Sequence, residues 1–308
     1  MAAGPLKKGR YAGFAVDPIV PPAPSTIDLH THTRRSDGVL QPLGLIQQAV
    51  AAGIRLLAIT DHDSLQAVRE LRATARAIPS GLELLAGVEI NAVAGGRDGF
   101  WEGEIHVLGF GMDPDDEPFE AALRGQRAQR RIRFERILGR LRALGMPIDD
   151  VIETMDIADD DAIGRPTIAR ALIATGHATS VEDAFRRWIG HGMPAWAPRD
   201  GLGPREAIGA IRAAGGVPVL AHFGEARERI GVVRELIEDG LAGLEVHYRN
   251  WGRATIESVG AVADELGLLR TGGTDYHGDL GPYAESHAGL WVPPEVGERL
   301  REVIAARG

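Results

Sequence analysis

The chain has 308 residues, 44% of them hydrophobic and 25% charged, enough for one large α/β domain with an insertion or for two ordinary domains. It contains no cysteine, which excludes disulfides, thiolate metal sites and cysteine nucleophiles, so any metal must be held by imidazole and carboxylate. A net charge of −9 excludes a general electrostatic attraction to nucleic acid, and no run of about eighteen apolar residues is present to cross a membrane.

Residues 1–25 read as an N-terminal tail. Lys7, Lys8 and Arg10 are followed by no apolar stretch, and Pro18, Pro21, Pro22 and Pro24 interrupt what comes next, so no signal peptide is expected and a cytoplasmic location is. Short aliphatic runs then alternate with helical patterns. A strand over 26–29 leads into a polar loop, and Pro42 to Ala52 has helical spacing that ends at Gly53. A second strand covers 55–60, and Ser64 can cap a helix reaching about Ala77. Residues 84–93 and 105–112 read as two more strands. This βαβ rhythm favours a parallel sheet or barrel with covering helices.

The rhythm breaks after Met112. Residues 118–144 are helical in pattern, shorter helices follow at about 167–175 and 181–189, and no strand is convincing before Arg199. The expected organisation is therefore a first barrel part over 26–112, a helical insertion over 113–199 and a second barrel part over 200–308. The second part should hold helices at 204–214, 232–239 and 254–266, with strands at 217–221, 243–246 and 268–271. Residues 290–292 are a candidate last strand.

The chemistry concentrates at strand ends. In Asp28-Leu29-His30-Thr31-His32, residues two apart point to the same side of a strand, so His30 and His32 can face one metal. Asp37 follows on a loop. His62 ends the second strand, Glu89 lies in the third and His106 in the fourth. His222 follows the strand after the insertion, and Asp275 and His277 follow the seventh. In parallel α/β architectures such ends converge on one face, where active sites sit. A buried histidine is more often a satisfied core residue than a ligand, but one geometric idea accounts for most of these together. His177, His191, His247 and His287 lack that positional logic, although His247 also ends a strand.

These motifs, with Asp37-Gly38, Thr60-Asp61-His62, Gly87-Val88-Glu89, Ala221-His222 and Gly273-Thr274-Asp275-Tyr276-His277, resemble the PHP superfamily, named for polymerase-associated and histidinol-phosphatase domains. The resemblance spans residues 26–277. It is closest to a bacterial branch with a helical insertion in the same place, the nucleoside 3′,5′-bisphosphate phosphatases and 5′-to-3′ exoribonucleases of the ribonuclease AM type. It implies a distorted TIM-like (β/α)7 barrel with a helical cap. It also implies two to three divalent metals, manganese first, with iron or zinc as alternatives. His30, His32, Glu89 and Asp275 would hold the first, Asp37, His62 and His277 the second, and Glu89, His106 and His222 the third. The attacking water would lie among Glu89, Asp275, His222 and His277.

The substrate implied is a small phosphorylated nucleotide, the 3′-phosphate of a nucleoside 3′,5′-bisphosphate, with short RNA as a further substrate. Gly164-Arg165-Pro166 resembles the branch's arginine motif, and Arg130 and Arg133 fall where the branch has arginines. Arg34, beside the metal loop, and Trp196 complete the expected substrate contacts, although each arginine could equally be a solvated surface residue and Trp196 could simply pack. Thr167, Met193, Trp196, His247 and the Phe223-Gly224 pair after His222 depart from the branch's usual residues. The alternatives are a phosphatase for a nucleoside monophosphate or histidinol phosphate, and a metal-binding module without catalysis. A lysine-bridged amidohydrolase barrel is disfavoured because no lysine follows Lys8.

Overall fold

Seven strands run around the molecule in chain order: β1 (Ile27–Asp28), β2 (Leu56–Ile59), β3 (Glu83–Ala94), β4 (Gly103–Phe110), β5 (Val217–Leu220), β6 (Gly243–Tyr248) and β7 (Leu269–Gly273). The computed structural model describes residues 23–74, 78–94, 103–249, 251–278 and 281–307. The expected tail therefore lies outside the described residues up to position 22, as does the expected end of the second helix at 75–77. The ring closes between the first and last strands. Leu29 N donates to Gly272 O (3.1 Å), Asp275 N to His30 O (2.8 Å) and His32 N to Tyr276 O (2.9 Å). The result is a nearly closed α/β barrel of the distorted TIM type.

The strands are not all parallel, which corrects the βαβ expectation. β3 pairs antiparallel with β4, and β4 antiparallel with β5, while the other neighbours are parallel. Only eight residues separate β3 from β4, fewer than a parallel crossover needs, so the chain reverses and β4 runs against the rest. This reversal explains an oddity of the sequence. His106 sits in the first half of its strand and Glu89 within β3, whereas the other site residues lie beyond the ends of theirs. In an antiparallel strand the start lies on the same face as its neighbours' ends.

Helices α1 (Pro42–Ala51), α2 (Gln66–Ala73), α7 (Pro204–Ala213), α8 (Ile230–Glu238) and α9 (Arg253–Glu265) cover the barrel. Pro42 at the first turn and Gly53 just past the end, at φ 94°, fix the limits of α1. Two further helices, α10 (Tyr283–Ala288) and α11 (Pro294–Ala305), follow β7. Residues 290–292 form no strand. They link these helices, and Leu290 and Val292 bury their side chains beside Ile27, Val296 and Leu300, so their apolar character serves packing. Among the described residues no helix is long and apolar enough to cross a membrane.

Between β4 and β5 the chain is helical: α3 (Glu117–Ala143), α4 (Asp149–Thr154), α5 (Arg165–Ala174) and α6 (Val181–Ala184), continued by a π-helical turn over Phe185–Ile189. Asp116 caps α3 by accepting from Phe119 N (2.7 Å), and Gly145 at φ 74° ends it. Residues between Phe134 and Ala197 form their own apolar core, including Ile137, Leu141, Ile168, Leu172 and Ile189. The first half of α3 belongs elsewhere, since Phe119 and Leu123 pack with Ala207, Ile208 and the outer face of β3. One continuous helix thus joins the two cores.

Candidate metal centre and the adjoining arginine cluster

The closure of β1 against β7 brings their polar ends together. Gly273 is required there because a Cβ on it would stand 2.5 Å from His30 Cβ, and Gly38 because a Cβ would stand 2.5 Å from His32 O. The nine residues expected from the sequence all meet on this face, and Glu89 is their hub. Its Oε2 lies 3.4 Å from His30 Nε2, 3.2 Å from His32 Nε2 and 3.0 Å from His62 Nδ1. Its Oε1 lies 2.6 Å from His106 Nδ1 and 3.0 Å from His222 Nε2. Asp275 Oδ1 stands 3.3 Å from His30 Nε2 and 3.1 Å from His32 Nε2. Asp37 joins His62 (3.4 Å) to His277 (3.1 Å).

Three groups of these atoms are close enough to hold one ion each: His30, His32, Glu89 and Asp275; His32, Asp37, His62 and His277; and His62, Glu89 and His106. The first matches the expected set. The second adds His32, and the third has His62 where His222 was expected. His222 still touches the shared carboxylate and is the least enclosed imidazole, at 18% side-chain exposure. The site fits cations for a further reason. His30 Nε2, both ring nitrogens of His32, His62 Nδ1, Asp37 Oδ1 and Glu89 Oε2 are buried without a hydrogen-bond partner among the described residues. Buried polar atoms are rarely left so, and several facing each other at 3–4 Å are the arrangement a bound ion satisfies.

The electrostatics agree. Burial alone would raise the Glu89 carboxyl, yet His106, His62 and His30 hold it well below the usual carboxylate range. Asp37 is likewise held down against burial by His62 and His277. Burial opposes a charged His62, but Asp37 and Glu89 raise it to about 9. The two carboxylates are thus held charged despite burial by their imidazole neighbours, a role that bound cations would share.

Several supporting residues escaped the sequence reading. Glu245 takes His30 Nδ1 at 2.9 Å and accepts His222 N at 2.7 Å, which leaves Nε2 of His30 facing the centre. Asp61 accepts from Thr33 N (2.7 Å), Thr33 Oγ1 (2.6 Å) and Ser36 Oγ (2.6 Å), and so shapes the turn that presents Asp37. Tyr248 donates to Asp275 Oδ2 (2.8 Å). His222 and Asp275 adopt positive φ, 33° and 50°, as does Asp63 at 47°. Non-glycine residues held there are strained, and such strain gathers at functional sites.

Arginines adjoin this centre. Arg130 Nε binds Asp63 Oδ2 (2.5 Å), Arg133 binds Glu104 Oε1 (2.5 Å) and Arg165 binds Glu104 Oε2 (3.1 Å). Asp63 follows His62, and Glu104 precedes His106 by two residues, so the cluster flanks the metal face. Gly164 stands beside it too, since a Cβ there would lie 3.7 Å from Asp37 Oδ2. A further arginine, Arg199, joins Asp63 (3.3 Å) and was not anticipated. Burial and the charge of Arg165 push Arg133 down to about 10. Arg34 instead donates to Asp156 O (2.8 Å), and Trp196 lies against His191 with ring centroids 4.7 Å apart. His247 lines a recess with Trp251 and Trp291, separate from the imidazoles around Glu89.

Comparison with known proteins accords with this geometry. A model of the PHP domain matches residues 28–129. A 3′,5′-nucleoside bisphosphate phosphatase from Chromobacterium violaceum is 32% identical over 259 residues, 82% of this chain and 87% of that protein. The chain belongs to the PHP family. A 5′-3′ exoribonuclease from Haemophilus influenzae is 31% identical over 255 residues, 81% of this PHP protein and 89% of the relative. A solved structure from Bifidobacterium adolescentis, assigned to the metal-dependent phosphoesterases, superposes with a TM-score of 0.78 at 33% identity, covering 92% of this chain and 97% of that one. The PHP protein is a metal-dependent hydrolase of phosphoric esters.

Proposed function

We propose that this phosphoesterase removes the 3′-phosphate of nucleoside 3′,5′-bisphosphates. The observation that carries the reading is the pairing of two unlike sites. A cation-binding centre suits the reacting phosphate, and Arg130, Arg133 and Arg165 beside it suit the other. Guanidinium matches phosphate because it donates parallel hydrogen bonds. The named activity of the Chromobacterium violaceum relative supports the same substrate. Action on short RNA from its 5′ end breaks the corresponding phosphorus–O3′ bond, and the Haemophilus influenzae relative is named for it.

In this reading the segment 113–199 is a cap that brings Arg130, Arg133 and Arg165 over the barrel mouth. His30, His32, Asp37, His62, Glu89, His106, His222, Asp275 and His277 hold two to three divalent ions, with manganese the first choice and iron or zinc suited to the same donors. Bound metals supply an activated water near neutral pH and neutralise charge on the phosphoryl oxygens. The chain's own residues do the rest. Glu89 keeps five imidazoles converged, Glu245 fixes the orientation of His30, and Asp61 holds the Asp37 turn in place. The arginines hold the remote phosphate, whose binding positions the reacting one.

The test is a phosphatase panel with manganese, using adenosine 3′,5′-bisphosphate, adenosine 5′-monophosphate, histidinol phosphate and short 5′-phosphorylated RNA. The bisphosphate should have the highest kcat/KM. A clear preference for histidinol phosphate or the monophosphate would overturn the assignment.

A further inference from the structure

The arginine cluster holds more positive charge than its own carboxylates neutralise. Arg130, Arg133, Arg165 and Arg199 meet Asp63 and Glu104 in direct ion pairs among the described residues. Four cations against two anions leave a surplus of two. The nearby Arg127 is bonded to Glu120 instead.

Arg199 is the centre of this arrangement. Its side chain is 2% exposed, one terminal nitrogen lies 3.3 Å from Asp63 Oδ2, the other donates to Asn91 O of β3, and Nε stands 3.9 Å from Glu104 Oε1. Of the four, it is the one that stands within 4 Å of both carboxylates. Arg199 Nε and Arg130 Nη2 are buried without a hydrogen-bond partner among the described residues. Unpartnered guanidinium nitrogens in a cluster with surplus charge are costly unless an anion completes them.

We propose that Arg199 is a positioning residue that sets the surplus charge of the remote-phosphate site at two, so that the site takes a phosphate monoester dianion in preference to a singly charged diester. This deepens the bisphosphate reading and rests on it. A terminal phosphate carries nearly two negative charges at neutral pH, with a second pKa of about 6, whereas a diester carries one. Asp63 and Glu104 already pair with Arg130, Arg133 and Arg165, and the charge of Arg199 beside both carboxylates brings the excess to two.

The experiment compares kcat/KM for adenosine 3′,5′-bisphosphate with that for its 5′-methyl-phosphate ester, which keeps the reacting 3′-phosphate and loses one remote charge. Wild-type enzyme should prefer the bisphosphate by roughly thirtyfold or more. Arg199→Gln should cut that ratio about tenfold, and Arg199→Lys, which keeps the charge, should restore most of it. Elemental analysis of each variant reports whether the metal centre is intact. Equal handling of both substrates by the wild type, or equal losses on both in Arg199→Gln, would overturn the proposal. Should Arg199→Gln not fold, the wild-type ratio and its retention in Arg199→Lys decide the matter. If neither nucleotide is turned over while p-nitrophenyl phosphate is, the bisphosphate reading fails instead.

Discussion

Two polar clusters share the mouth of the barrel, one built from strand ends and one largely from the helical segment that returns over them. At the strand ends, Glu89 and Asp37 gather imidazoles, and the inward nitrogens of His30, His32 and His62 lack hydrogen-bond partners among the described residues. In the arginine cluster the guanidinium groups are mostly bonded to Asp63 and Glu104, and positive charge is in excess. The first arrangement is incomplete without cations, the second without an anion. A bisphosphate bound to metals would complete both at once, and it is this complementarity, more than either cluster alone, that supports the proposed substrate class.

The comparison can be broken most severely at its hub. Glu89→Gln removes the charge that five imidazoles share, so kcat should fall by several orders of magnitude while the fold persists. A change in KM alone, with kcat preserved, would mean that Glu89 does not join the ions. On the other side, Arg165→Ala should lower kcat/KM for the bisphosphate by roughly 2 to 4 kcal/mol and barely affect p-nitrophenyl phosphate, which has no second phosphate. Equal losses on both substrates would put Arg165 at the reacting phosphate.

Glu245 sharpens the boundary of the metal side. It touches His30 and the backbone of His222 from outside the centre, so Glu245→Gln should weaken metal affinity about 10- to 100-fold, measured by chelator competition. Unchanged affinity would reduce Glu245 to a packing role. The effect least connected with activity concerns a histidine outside both clusters. Burial lowers His247 to about 4, with Arg270 adding to the shift. The unfolded chain takes up its proton near 6.5 and the folded chain only near 4, so stability is full above that window and falls as pH drops through it. The loss should reach at most roughly 3 kcal/mol, and denaturant titrations of His247→Leu should show a shallower acid limb. An identical limb would assign the loss to other groups.

The two clusters also differ in how far the sequence disclosed them. The imidazole and carboxylate cluster was legible because most of its residues sit in short motifs at strand ends, and a period of two places His30 and His32 on one side. The same period could have pointed to Asp28 beside His30, which accepts from Thr274 N (3.0 Å) and Tyr283 Oη (2.8 Å), and to Glu104 beside His106, which pairs with the arginines. The reversed direction of β4 was not legible, since apolar alternation is the same in either direction and only the shortness of the stretch between the two strands hinted at it. Residues 290–292 looked like a strand because buried linkers and strands share an aliphatic composition. Arg199 could not be singled out in a chain with 34 lysines and arginines. Its role depends on where the chain after Ala197 re-enters the barrel, which no local pattern encodes.

The central claim is that the imidazole and carboxylate cluster is a working metal centre, and it is most directly tested by following activity against metal content. Enzyme stripped by chelation and titrated with manganese should be inactive at the start and regain bisphosphate hydrolysis as two to three equivalents bind, counted by elemental analysis. A metal-free preparation that remains fully active would contradict the account.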